Sequence, residues 1–116
     1  MTALKAFVAA AVLACATASA VPVTAAPGPS FNCRRAHTFV EKAICTNPSL
    51  AARDRRMSRI YFDTLASYRE SGDREAAADF QAEQRNWLAR RNRCQTTVCL
   101  VRAYDRRIEQ IEAAAY

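Results

Sequence analysis

The residues whose types and spacing could do chemistry are few, and the most informative are polar ones on apolar stripes. Leu50, Met57, Tyr61, Leu65 and Tyr68 recur at helical spacing, and Asp54 falls four after Leu50 and three before Met57. A second stripe holds Ala77, Phe80, Trp87 and Leu88; on it Gln84 follows Phe80 by four and Arg91 follows Trp87 by four. All three polar residues therefore face inward. A buried carboxylate is a candidate for acid–base work only with a second reacting group in a cleft. The residue that can meet Asp54 is instead an arginine. If the two helices fold back around Gly72, Asp54 lies 18 residues before the turn and Arg91 lies 19 after it. The expected contact is a bidentate, charge-assisted pair, the form in which burying both groups is tolerable. By the same count Gln84 comes level with Ile60 and Tyr61, where its amide would bond the Tyr61 hydroxyl. Asp54, Arg91, Gln84 and Tyr61 thus read as a polar clamp on a helical hairpin, and not as a catalytic group. The lone His37, near a helix start, reads as a surface or capping residue. With two glycines in all, and no Ser, His and Asp set, the chain offers neither a phosphate-cradling loop nor a catalytic triad.

These positions need helices to hold them, and the chain punctuates itself accordingly. Thr38 followed by Glu41 has capping-box spacing and predicts a helix over 39–45. Asn47-Pro48 is a cap with a first-turn proline, opening a long helix over 48–70. Ser71-Gly72-Asp73 supplies a terminating glycine and a new cap, so a third helix is expected over 74–93. Gln95-Thr96-Thr97 interrupts the pattern before a fourth helix over 98–113, whose stripe is Val98, Val101, Tyr104, Ile108 and Ile111. No strand alternation of useful length intervenes. The expected fold is all-α, a small antiparallel hairpin or bundle of three to four helices.

The N-terminus has a different grammar. Lys5 precedes an uncharged run rich in Ala and Val, and Ala18-Ser19-Ala20 then gives a small-x-small cleavage rule. Residues 1–20 read as a secretory signal, with Ala26 a weaker cleavage position because Pro27 would follow it. The apolar run is too short for a membrane span. Val12-Leu13-Ala14-Cys15 partly resembles a lipobox, but Leu13 is bulky and little apolar length precedes it, so Cys15 is read as discarded with the signal. Residues 21–31, rich in Pro and Ala without periodicity, read as a flexible tether to a domain over 32–116. The expected location is periplasmic or secreted.

Cleavage near Val21 would leave 16 basic residues, 15 of them arginines, against 11 acidic ones, a net charge of +5. Outside the cytoplasm that balance favours anionic wall polymer, lipid or acidic protein over nucleic acid. A domain this small has a marginal hydrophobic core. The four cysteines that remain, Cys33, Cys45, Cys94 and Cys99, argue for two disulfides. Three pairings exist; Cys33 with Cys45 and Cys94 with Cys99 is favoured, because each spans one short connection and ties an irregular segment to a helix end. Spacings of eleven and four residues with a single histidine fit structural zinc poorly.

The run Pro29-Ser30-Phe31-Asn32-Cys33, then Val40-Glu41-Lys42-Ala43-Ile44-Cys45, Leu50 with Asp54, Tyr61, and Gln84-Arg85-Asn86-Trp87-Leu88 through Arg91 to Cys94 and Cys99 resembles the LprI-like lysozyme inhibitor family. The resemblance implies a small exported bacterial protein with a helical domain, a periplasmic or surface-exposed binder that blocks a host or rival muramidase, and no cofactor. Asn92 departs from it by standing where the family typically has Asp, which weakens a charge pair there. The positive charge is the larger departure, since the common animal lysozymes are themselves strongly basic and like charges slow association. Asp73, Glu75, Asp79 and Glu83 are the acidic residues through which local docking is expected.

Overall fold

The computed structural model describes residues 10–11, 18–22 and 27–115. Cys15 and most of the expected signal segment lie outside them. A 3-10 turn at Cys33–Arg35 precedes four helices: α1 Phe39–Thr46, α2 Pro48–Glu70, α3 Arg74–Arg91 and α4 Thr97–Ala114. Among the described residues there is no strand. The fold is all-α, as the punctuation predicts.

Each helix begins where a side chain replaces the missing intrahelical acceptor. Thr38 Oγ1 accepts from the Glu41 N–H at 3.1 Å while the Glu41 carboxylate accepts from Thr38 N–H at 3.3 Å and His37 N–H at 2.9 Å, closing the capping box of α1. Asn47 ends α1 and caps α2, its Oδ1 accepting from the Ser49 and Leu50 N–H groups. Asp73 and Thr96 do the same for α3 and α4. The reversal between α2 and α3 uses Gly72 at φ +76°, a left-handed conformation that glycine adopts without a Cβ penalty. Helix α3 stops at Arg91, two residues short of expectation, because the next turn tightens: Arg93 N–H bonds Arg90 O and Cys94 N–H bonds Arg91 O.

Helix α2 is the spine, packing against α1, α3 and, over its greatest length, α4. Helix α3 touches α4 only sparsely. Tyr104, Ile44, Leu50, Leu100 and Ile111 are fully enclosed at the centre, with Met57, Leu65, Phe80 and Trp87 around them; side chains of this kind contribute about 1.5–3 kcal/mol each on full burial. Val98 is an exception to the predicted stripe. It is 59 % exposed, because the first turn of α4 emerges from the core before Leu100 re-enters it. Across α2 and α4, Arg53 Nε meets Asp105 at 2.8 Å and Arg56 Nη2 meets Glu112 at 2.5 Å, surface pairs worth under about 1 kcal/mol each.

Two disulfides staple the ends. Cys33–Cys45 fastens the 3-10 turn to α1 with Cα atoms 5.8 Å apart, and Cys94–Cys99 fastens the end of α3 to the start of α4 at 5.6 Å. In the chain-entropy account, loops of 12 and 5 residues correspond to about 3 and about 2 kcal/mol.

Candidate functional site

The inward polar residues of α2 and α3 meet at the open end of the hairpin, and α4 completes the cluster. Asp54 is 1 % exposed. Its Oδ1 accepts from the Tyr104 hydroxyl at 2.7 Å; its Oδ2 accepts from both the N–H and the hydroxyl of Ser30, at 2.7 and 2.6 Å. Arg91 Nη1 donates to the same Tyr104 hydroxyl at 3.0 Å and lies 3.9 Å from Asp54 Oδ1. The expected bidentate pair is therefore corrected to a relay, with a tyrosine oxygen where direct contact was anticipated. The remaining face of Arg91 is used by Asn92, whose Oδ1 accepts from Nε at 3.1 Å and Nη2 at 2.8 Å. The amide oxygen of Asn92 thus keeps the acceptor that an aspartate would offer, without its charge. Burial pushes the Tyr104 phenol well above its ordinary range, so it stays a donor to Asp54.

Gln84 also finds different partners from those expected. Its Nε2 donates to Met57 Sδ at 3.1 Å and its Oε1 accepts from Arg107 Nε at 2.9 Å. Tyr61 instead stacks on Phe80, ring centroids 5.0 Å apart at 20°. Arg107 is a buried arginine at 3 % exposure; its guanidinium lies 5.5 Å over Phe80, and Nη1 is 3.8 Å from Glu83 Oε2. Burial draws its basicity below the usual arginine range, and Glu83 acts in the opposite direction.

Three participants escaped the sequence reading. Tyr104 was counted as apolar stripe, although a hydroxyl there has to find a partner. Arg107 stands three after Tyr104 and four before Ile111, the same helical-spacing signal that marked Asp54. Ser30 sits in a segment without periodicity, and only its place in the run Pro29-Ser30-Phe31-Asn32-Cys33 marks it. The segment read as a free tether docks through it, and Arg55 Nη1 adds bonds to Pro27 O and Gly28 O at 2.6 and 2.8 Å.

Chemically, the cluster saturates Asp54. Both carboxylate oxygens are engaged by three donors, and the arrangement holds α2, α3, α4 and the N-terminal segment in register. Above it, between α2 and α3, runs a cleft of about 900 Å³ with Met57, Tyr61 and Leu65 on its floor and Arg35, Arg69 and Arg85 on its rim. On the other flank of α3, Glu75, Asp79 and Glu83 recur every four residues and all are exposed. Asp73 is set apart from them: its Oδ1 is used by the Ala76 N–H as the helix cap. Among the described residues no group of three or more His, Cys, Asp or Glu side chains could hold a metal ion, and no helix is long and apolar enough to cross a membrane.

The family model of the lysozyme inhibitor LprI matches residues 32–115. The chain belongs to the LprI lysozyme inhibitor family. That span takes in both disulfides, all four helices and every member of the polar cluster except Ser30. Among curated proteins and among solved structures, none matches the chain. The family is described as one of lysozyme inhibitors, which gives the domain an inhibitor-like function toward a protein partner.

Proposed function

We propose that the protein inhibits a muramidase by occluding its glycan-binding cleft as a rigid body, with the acidic flank of α3 as the contact edge. The observation that carries the reading is the extent of the LprI match, which coincides with the stapled helical unit from Asn32 to Ala115. Rigidity supports it: capped helices, two disulfides and a buried cluster built on a fully engaged Asp54 leave little conformational freedom to lose on binding, and preorganised surfaces bind tighter for a given area. Charge supports the choice of edge. A basic domain approaching a basic lysozyme gains from a helix face where exposed carboxylates recur every four residues, at Glu75, Asp79 and Glu83, whereas Asp105 and Glu112 of α4 are paired with Arg53 and Arg56.

The test is lysis of a peptidoglycan suspension by lysozymes of several types, with the full chain added and both disulfides formed. Slowed lysis at micromolar protein with at least one type is the expected result, with inhibition independent of substrate-independent effects such as precipitation. Undiminished lysis by every type would sink the reading.

A further inference from the structure

Where α3 and α4 diverge they enclose a cavity of about 440 Å³, and its wall is unusual in composition. Arg90 and Arg91 of α3 and Arg102, Arg106 and Arg107 of α4 line it together with Trp87, and no carboxylate does. Arg91 is committed to Tyr104, Asn92 and Asp54. Arg90, Arg102 and Arg106 are exposed and take part in no ion pair among the described residues. Arg102 and Arg106 stand four apart on one helix, an arrangement in which like charges repel. Arg107, buried at the inner wall, has an Nη2 that is enclosed and without a hydrogen-bond partner. Its nearest carboxylate, Glu83, is exposed and reaches only Nη1, at 3.8 Å. Uncompensated neighbouring cations are costly, and one anion seated among Arg90, Arg102 and Arg106 would relieve that cost, with the charge of Arg107 adding to the field from behind.

We propose that this cavity is a binding site for a phosphate-class anion, held by Arg102 and Arg106 at its mouth with Arg90 beside them and Arg107 behind. Arginine is suited to it, since the planar guanidinium presents paired N–H groups to two oxygens of one phosphate. The anion could be a lipid headgroup or a soluble or polymeric phosphate; the recognition chemistry is the same. Of the acidic flank assigned above to a lysozyme, Glu83 reaches Arg107 at the back of the site, whereas Glu75 and Asp79 do not line the cavity.

Trp87 is the sole tryptophan and lines the cavity, so its fluorescence reports occupancy. The full chain, disulfides intact, is titrated with pyrophosphate and orthophosphate at constant ionic strength set with chloride, and with phosphatidylglycerol–phosphatidylcholine vesicles against phosphatidylcholine alone. A saturable Trp87 response to pyrophosphate is expected, and Arg102→Gln and Arg106→Gln each weaken it about tenfold. Arg59→Gln with Arg69→Gln removes two exposed charges away from this cavity and leaves the affinity within about twofold. A response to phosphatidylglycerol vesicles as well assigns a headgroup; response to pyrophosphate alone assigns a soluble or polymeric phosphate. No saturable response to any of these probes, or equal weakening in the Arg59 and Arg69 control, would overturn the site. Because Arg102 and Arg106 are exposed, thermal unfolding of both variants without anion should match the parent, separating loss of binding from loss of fold.

Discussion

The hydroxyl of Tyr104 bridges Asp54: it donates to Oδ1 at 2.7 Å while accepting from Arg91 at 3.0 Å. One oxygen thereby links three helices, and the edge of the Tyr104 ring packs against Trp87 with centroids 5.2 Å apart. A direct ion pair would have tied α2 to α3 alone. Placing the phenol between them makes the position of α4 part of the same network.

Tyr104→Phe keeps the ring and removes the bridge. Asp54 loses a donor and Arg91 an acceptor, both at buried positions. The expected cost is about 1–3 kcal/mol, a fall in Tm on the order of 10 °C for a domain of this size. Thermal unfolding followed by circular dichroism measures it; an unchanged Tm would show that the bridge is energetically idle.

Ser30→Ala isolates the contribution of the N-terminal segment. It deletes the 2.6 Å hydroxyl bond to Asp54 Oδ2 and leaves the 2.7 Å N–H bond in place. Destabilisation of about 1 kcal/mol is expected, less than for Tyr104→Phe. Proteolysis of the 27–31 segment under native conditions should quicken in the variant, because the Ser30 hydroxyl shares with Arg55 and the Ser30 N–H the fastening of that segment to α2. Equal cleavage rates in parent and variant would refute the docking role.

Much of this was legible in the sequence, for a physical reason that also marks where reading stopped. Helical periodicity decides which side of a helix a residue faces, so Asp54, Gln84 and Arg91 were placed inward from spacing alone. It also pairs residues across a short turn such as Gly72, which is why Asp54 and Arg91 were matched. Partners supplied by α4 lie beyond that arithmetic, because the connection over 92–96 sets a direction that periodicity does not encode. Hence the count matches Asp54 to Arg91 although Tyr104 of α4 stands between, and matches Gln84 to Tyr61 although Arg107 of α4 and Met57, one turn earlier on α2, hold it. Ser30 acts across 24 residues from a segment with no repeat at all.

The capping box of α1 predicts a pH dependence with a definite sign. Backbone N–H bonds, from His37 first and then Thr38, hold the Glu41 carboxyl below its ordinary value of 4.5. A depressed folded value means the unfolded chain binds the proton more readily. The contribution of Glu41 is therefore complete above about pH 4.5 and is lost as pH falls through the folded value. Glu41→Gln retains an acceptor oxygen but no charge, so Tm measured from neutral pH down to about pH 3 should fall less steeply in the variant. Parallel Tm–pH curves would exclude the mechanism.

The acidic edge of α3 is tested by reversing its charge. Glu75 and Asp79 are exposed and one turn apart, so Glu75→Lys with Asp79→Lys alters the surface without entering the core; replacing Glu75 in the first turn opposes the helix dipole and costs under about 1 kcal/mol. Against a basic lysozyme the double variant should associate about tenfold more slowly, because attractive rim charges act chiefly on encounter. Adding salt should quicken the variant more than the parent, since screening removes net repulsion from both and local attraction from the parent alone. Surface plasmon resonance at two ionic strengths reads both effects. If the variant associates as fast as the parent, the inhibitor does not dock through α3, and the arginine-rimmed cleft between α2 and α3 becomes the surface to map.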